Sequence, residues 1–145
     1  FMQALAELGI PGEADKKSLQ LIGRRDIRSN NSWMHNSPRL VKGKTRHQLL
    51  MHKDDLQERG ISDEKSVRVR SDVGEILVEV KVSEELMPGV VCLPHGFGHQ
   101  RSGLQMSQAV KVLGSSYNDL TGAGFLDGPS GNAALNGVRV WVEAI

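Results

Sequence analysis

Histidine, glycine and phenylalanine alternate in one short segment of the chain, His95-Gly96-Phe97-Gly98-His99. Two histidines at this spacing bind zinc well on one face of a helix, but two glycines separate them here, and no Cys, Asp or Glu lies close by to complete the ligand shell. Glycine lets a backbone approach a ligand closely, which leaves imidazoles and backbone N–H groups to bind it. The segment therefore predicts a ligand-binding loop in preference to a metal site.

Two further stretches, Arg24–Pro38 and Tyr117–Asn136, are equally rich in polar or glycine residues. Arg pairs with phosphate through two parallel hydrogen bonds, and Asn, Ser and Thr both donate and accept. If these stretches meet Pro94–Gly103 in space, they form a cleft for a ligand rich in heteroatoms and phosphate; otherwise they are separate surface loops. The glycines of 122–124 and 128–131 do not make a P-loop, because no Lys-Ser or Lys-Thr follows them.

Composition places these stretches in one folded domain. The chain has 145 residues, 39% apolar and 24% charged, with a net charge of +1. These values exclude a disordered or collagen-like chain and argue against nucleic-acid binding, which needs a basic excess. No apolar run approaches the ~20 residues of a membrane span. Cys92 is the only cysteine and lies in the apolar run Val90–Leu93, which predicts a buried thiol and excludes an internal disulfide.

Period-two alternation identifies the elements that must position the polar stretches. Val67–Arg70 and Ile76–Val82 alternate on either side of Gly74, which predicts a β-hairpin. The other predicted strands are Ser18–Gly23, His47–Met51, Val90–Leu93 and Val138–Val142. Short helices are predicted at Lys53–Arg59 and Ser107–Leu113. This pattern predicts a mainly β fold, a small six-stranded barrel over residues 18–145. Residues 1–17 begin without an initiator Met and are expected to be a linker from upstream domains.

The order of these motifs resembles the C-terminal molybdopterin-dinucleotide-binding domain of the dimethyl sulfoxide reductase, formate dehydrogenase and nitrate reductase superfamily. The segments that carry the resemblance are Leu21–Arg25, Asn30–Asn36, Leu50–Leu56, Gly60–Asp63, Val67–Gly74, Met87–Val91, Pro94–His99, Tyr117–Thr121, Asp127–Gly131 and Val138–Val142. The resemblance covers roughly residues 18–143. The helix after Met51 departs from the family's usual Asn-Pro entry and has His52-Lys53 instead.

The resemblance implies a double-psi β-barrel that closes over molybdopterin guanine dinucleotide, the bis-MGD cofactor of a molybdenum or tungsten oxidoreductase. It implies that the metal's protein ligand and any iron–sulfur cluster lie in upstream domains of the same chain, so that this part alone is inactive and holds no cofactor. It assigns no catalytic or metal-ligating residue here, and we expect a cytoplasmic protein without nucleic-acid or membrane partners.

The resemblance also implies roles for particular residues. Asn31, Ser32 and Trp33 are expected to touch the pterin or its pyrophosphate, and Arg24 or Arg25 to pair with phosphate. The loop His95, Gly96, Phe97, Gly98 and His99 is expected to line the cofactor channel, and Asn118 and Thr121 to hydrogen-bond pterin heteroatoms.

Two alternatives stay open at this point. Double-psi barrels also serve as non-catalytic binding domains, although partner surfaces usually offer exposed apolar anchors and these loops are polar. Double-psi barrels also include self-cleaving pyruvoyl-dependent decarboxylases, which cut at a Gly-Ser dipeptide such as Gly114-Ser115.

Overall fold

A computed structural model describes residues 17–124, 126–133 and 135–145, so the predicted linker lies outside the described residues except for Lys17. The six strands are β1 Leu19–Arg24, β2 Gln48–Met51, β3 Ser66–Arg70, β4 Glu75–Val82, β5 Val90–Pro94 and β6 Val138–Ala144. The helices are α1 Pro38–Val41 and α2 Lys53–Glu58, with 3-10 turns at Trp33–Asn36, Ala109–Lys111 and Tyr117–Leu120.

The strands close into a barrel in the order β1-β5-β2-β4-β3-β6. The pairs β1–β5 and β2–β4 are parallel and the other neighbours are antiparallel, which is the double-psi arrangement that the resemblance implied. In the first parallel pair Arg24 lies opposite Pro94. Because parallel strands end at the same edge of a sheet, the chain segments after β1 and β5 leave the barrel side by side.

The core consists of alternate residues from five strands and of successive buried residues from β5. Leu21, Val69 and Val80 are completely buried, whereas Arg68 and Arg70 of β3 point outward. Burying one such aliphatic side chain stabilises the fold by about 1.5–3 kcal/mol. Period-two alternation along the strands thus produces a barrel with an apolar interior and a polar exterior.

The predicted hairpin and the remaining strands are confirmed to within two residues at each end, and the predicted helix at Lys53–Arg59 is confirmed as α2. The helix predicted at Ser107–Leu113 is only a 3-10 turn, Ala109–Lys111. Cys92 is buried as predicted, and burial raises the pKa of its thiol. No helix in the described ranges is long and apolar enough to cross a bilayer.

Candidate functional site

The segments that follow β1 and β5 touch at the end of the barrel. The backbone N–H of His95 donates to the carbonyl of Arg24 at 3.0 Å, which continues the parallel ladder past the strand end. The loop after β1, residues 25–37, is called the first loop. Gly96, with a φ of 90°, lies so close to it that a Cβ there would come within 2.1 Å of the Asn31 carbonyl oxygen. A side chain at this position would therefore separate the two loops.

The third polar stretch reaches the same end of the barrel. A Cβ on Gly98 would lie 2.9 Å from the Cβ of Ser116, and the Tyr117 ring lies 4.1 Å from that of His95. The side chain of Asn136 accepts a hydrogen bond from the Gly23 backbone N–H at 2.8 Å. All three stretches predicted to bind a ligand therefore reach one edge of the barrel, which we call the rim: residues 25–37, 95–103, 114–121, 135 and 136.

Three histidines and a phenylalanine pack inside the rim. His35 Nδ1 and His99 Nε2 lie 2.8 Å apart, and both residues are buried. The Phe97 ring lies between His35 and His47, 4.7 Å from each ring centroid. His47 Nε2 in turn lies 3.0 Å from the carbonyl oxygen of Ser115. The cluster therefore joins the first loop, the segment after β5 and the start of the third stretch.

Burial favours the neutral forms of His35 and His47. It lowers the pKa of His35, and the adjacent His99 lowers it further. Burial also lowers the pKa of His47 to about 4. The predicted channel residues Phe97 and His99 therefore lie beneath the surface of the rim, where they contact other rim residues.

His95 differs from His35 and His99 because its ring nitrogens make no hydrogen bond to the described residues. The imidazole lies over Gly23, where a Cβ would come within 2.0 Å of Nε2, and against the ring of Tyr117. Burial and the nearby Arg25 lower its pKa. None of the described residues hydrogen-bonds to the imidazole, which is half-buried. A neutral imidazole with one free donor and one free acceptor is therefore held in place at the rim.

The first loop presents its polar residues through a left-handed turn. Asn30 and Asn31 have φ angles of 41° and 61°, a conformation that Asn tolerates better than most residues. Ser32 then starts the 3-10 turn Trp33–Asn36. Trp33 is 80% exposed, so its indole face is open to a ligand.

The two predicted phosphate-binding arginines differ in their surroundings. Arg24 Nη2 donates to the carbonyls of Arg46 and Gln48 at 3.3 Å each, while its buried Nε has no partner among the described residues. Arg25 is exposed. Arg24 therefore ties the end of β1 to the start of β2, and Arg25 is the freer cation.

Asn118 and Thr121 lie at the two ends of the 3-10 turn Tyr117–Leu120. The Ser116 hydroxyl accepts from the Asn118 N–H at 3.2 Å, and Thr121 Oγ1 donates to the Asn118 carbonyl at 3.2 Å. The side-chain amide of Asn118 is exposed, with no partner among the residues the structure describes. Beside this turn lies a cleft of about 430 Å³ lined by Gly98, Ser116 and Asp119.

Sequence reasoning missed several rim residues. His47 could have been found, because His47, Leu49 and Met51 are all buried at period two. No pattern marks His35 or Tyr117, whose burial depends on loops that meet only in the folded chain. Within the described ranges, no group of three or more His, Cys, Asp or Glu is arranged to hold a metal ion.

Comparison with known proteins places this chain in a family. The family model for the molydopterin dinucleotide binding domain matches residues 19–139, most of the chain. The chain belongs to this family. The prediction of a molybdopterin-dinucleotide-binding domain from the sequence is therefore confirmed. It is preferred to the two alternatives, the non-catalytic barrel and the self-cleaving decarboxylase.

Relatives of this dinucleotide-binding domain include two reductases. The chain is 39% identical over 57 residues to the dimethyl sulfoxide reductase DmsA of Escherichia coli, covering 39% of this chain and 7% of that protein. It is 49% identical over 47 residues to a dimethyl sulfoxide/trimethylamine N-oxide reductase of Rhodobacter capsulatus, covering 32% of this chain and 6% of that protein. The chain thus spans less than a tenth of the length of these curated relatives.

Acetylene hydratase from Pelobacter acetylenicus shares the fold of the domain, with a TM-score of 0.76 at 18% identity. The match covers 96% of this chain and 20% of the hydratase.

The rim residues fit the cofactor of this family by their chemistry. A pterin dinucleotide carries ring donors and acceptors and two phosphates. The predicted site residues offer neutral donors and acceptors and two arginines, and the rim carboxylates of Asp26 and Asp119 face Arg46 and Arg101. Among the described residues, the His95 imidazole, the Asn118 amide and Arg24 Nε are polar groups without a protein partner. The rim therefore has unpaired donors and acceptors of the kinds that such a ligand needs.

Proposed function

We propose that the rim holds molybdopterin guanine dinucleotide, as the bis-MGD cofactor of a molybdenum or tungsten oxidoreductase of which this domain is one part. The observation that carries the proposal is the meeting of three sequence-distant polar stretches around one unpaired imidazole, His95. The His95 ring nitrogens make no hydrogen bond to the described residues and reach the surface of the rim. A donor and an acceptor at this place are therefore open to a ligand, which supports the proposal.

The residues divide the binding between them. Asn31, Ser32 and Trp33 contact the pterin or its pyrophosphate from the first loop, and Arg25 pairs with a phosphate from an exposed position. His95 and the exposed amide of Asn118 hydrogen-bond pterin heteroatoms, with Thr121 beside them.

Other rim residues bind indirectly. Gly96 and Gly98 allow the loops to come together, while Phe97 and His99 hold them from within. Arg24, engaged with two carbonyls, fixes the strand end from which the first loop departs.

The bound cofactor supplies two-electron redox chemistry at its metal, whereas the protein supplies binding, orientation and electrostatics. None of the roles assigned to the rim residues is that of an acid, a base or a nucleophile. The protein ligand of the metal then comes from other domains of the enzyme. We therefore expect the domain by itself to be inactive.

Amide chemical shifts of the chain, recorded with millimolar guanosine diphosphate and then with metal-free molybdopterin guanine dinucleotide, test the proposal. We expect both probes to shift amides of residues 29–36, 95–99 and 116–121, with larger changes for the full dinucleotide. Asn118→Ala and His95→Gln should weaken the binding at least about tenfold, the loss of one or two good hydrogen bonds to a ligand. Ser62→Ala, in the exposed connector between α2 and β3, is the matched control and should bind like the parent chain.

Shifts confined to residues outside the rim would contradict the proposal. Equal affinity in Asn118→Ala, His95→Gln and Ser62→Ala would contradict the residue roles while leaving binding at the rim in place.

A further inference from the structure

We propose that the buried pair His35–His99 is a latch that holds the rim loops together, and that proton uptake by this pair releases residues 29–36. Both histidines are positioning residues, because they act on the shape of the rim. That the rim binds a cofactor rests on the proposed function, whereas the latch itself does not.

The latch joins two parts of the chain that are 64 residues apart. His35 lies in the 3-10 turn of the first loop, and His99 ends the segment after β5. Their exposed fractions are 2% and 8%, and the facing nitrogens are 2.8 Å apart. The Gly96 backbone also hydrogen-bonds to the His35 side chain. The His35–His99 bond is therefore one of two hydrogen bonds through which His35 holds the first loop against residues 95–99.

A neutral pair is the state that this geometry favours. Between two neutral imidazoles, one N–H lies between the facing nitrogens and donates to the bare one. One added proton is tolerated, because an imidazolium still donates to a bare nitrogen. A second proton puts hydrogens on both facing nitrogens, which then repel at this separation. The latch is therefore closed with no or one extra proton and open with two.

The surroundings of His35 oppose charge on the pair. Burial, then His99, then the Arg46 guanidinium lower the pKa of His35, while the Gly96 backbone and the Asp26 carboxylate act in the opposite direction. Arg46 and Asp26 also face each other, with 3.9 Å between Nε and Oδ2. The carboxylate is thus already partly engaged and cannot fully compensate a new imidazolium.

The far side of the cluster opposes charge as well. Phe97 separates His35 from His47, and burial followed by the Arg24 guanidinium lowers the pKa of His47 to about 4, against the opposing Ser115 backbone. The charged groups around the cluster are therefore two arginines and one aspartate. A proton taken up by the latch adds positive charge to an environment that is already positive.

Native-state amide exchange of the chain between about pH 7 and pH 5, corrected for intrinsic rates, tests the latch. We expect the protection of residues 29–36 to fall at least about tenfold over this range while that of β4 falls much less, since local opening is separate from global unfolding. His99→Gln keeps a neutral donor for His35 but takes up no proton, so residues 29–36 should stay protected at both pH values. His52→Asn is the matched control, because His52 lies outside the rim, and it should keep the acid dependence of the parent chain.

Three outcomes would overturn the latch: unchanged protection of residues 29–36 in the parent chain, an equal loss in β4, or an undiminished acid dependence in His99→Gln. Imidazole ¹⁵N shifts of the parent chain provide a test that needs no variant. We expect His35 and His99 to gain protons over the same pH range in which residues 29–36 lose protection. Release without protonation of either ring would contradict the latch, even where the variant fails to fold. Because none of these measurements uses a cofactor, their failure is distinct from failure of the proposed function.

Discussion

At the scale of the residue, the rim depends on glycines, because a Cβ at some of these positions would collide with a neighbouring loop. Gly96 and Gly103 have nearly the same φ angle, 90° and 91°, in the left-handed region. They differ in what surrounds them, because a Cβ on Gly96 would meet the Asn31 carbonyl, whereas a Cβ on Gly103 would meet nothing within 4 Å. The two positions therefore separate the cost of a strained backbone from the cost of pushing two loops apart.

We predict that Gly96→Ala destabilises the fold more than Gly103→Ala. The strained conformation alone should cost about 1 kcal/mol or somewhat more at either position, and the collision at Gly96 should add about 1–3 kcal/mol. Urea unfolding of both variants and the parent chain measures the difference. Equal losses of stability in the two variants would show that the loops do not touch at Gly96.

His47 makes the stability of the barrel depend on pH. Its pKa is about 4 in the folded chain, below the ordinary value of 6.5 that it regains on unfolding. The contribution of His47 to the free energy of unfolding is therefore complete above about pH 6.5. It is lost as the pH falls toward 4, because the unfolded chain binds the proton more tightly. By pH 5 the loss from this residue should be roughly 2 kcal/mol.

His47→Gln should remove most of this dependence on pH, since an amide takes up no proton. Urea unfolding at pH 7 and pH 5 measures it, with His52→Asn as a histidine variant outside the cluster. The same slope in His47→Gln and in the parent chain would place the acid sensitivity elsewhere.

At the scale of the element, the sequence predicted strands well and loops poorly. Alternation of the buried residues Val67, Val69, Ile76, Val78 and Val80 with residues of the outer face defines β3 and β4, because a strand exposes one face to water. The helix α1 has only four residues, too few to show a helical period. The pairing of β1 with β5 is parallel and joins residues about seventy apart, and no local pattern specifies a partner at that distance.

Helix α2 has an unusual N-cap residue, His52. His52 stands where the family has Asn, and its Nδ1 accepts a hydrogen bond from the Asp54 backbone N–H at 3.2 Å. It thus satisfies one of the unpaired N–H groups of the first turn, as an Asn side chain does where Asn is the N-cap. Asp54 and Asp55 add negative charge at the same end, where the helix dipole favours it.

We predict that His52→Ala costs about 1 kcal/mol of stability and that His52→Asn restores it, because only Asn replaces the lost acceptor. Urea unfolding of both variants and the parent chain at about pH 7.5 measures the effect. No difference between the Ala and Asn variants would mean that the His52 side chain does not cap the helix.

At the scale of the whole molecule, the site exists because the barrel is closed. The strand order brings β1 and β5 together at one rim although the chain makes three other strands between them. The polar residues of the three stretches were predicted from the sequence, and so was their common function. Their actual contacts, such as His35 with His99 or Gly96 with Asn31, follow from closure and could not be predicted from local patterns.

The last strand completes that closure. β6 pairs with β1 through Val138 to Val140 and with β3 through Trp141 to Ala144, so the same strand seals both edges of the sheet. The family match ends at residue 139, before the whole of the pairing with β3. Without β6, the edges of β1 and β3 would expose unpaired backbone groups and the buried side chains Leu19 and Val69.

We therefore predict that a chain ending at Gly137 loses its cooperative unfolding transition and associates, whereas a chain lacking only the exposed Ile145 unfolds like the parent. Far-UV circular dichroism during heating measures the transition, and size-exclusion chromatography measures association. Residues 138–144 bury Val140 and Val142 and close the ring of strands, so their loss removes core contacts and backbone pairing together. A monomeric truncated chain with the midpoint of the parent would show that the barrel, and with it the rim, forms without closure.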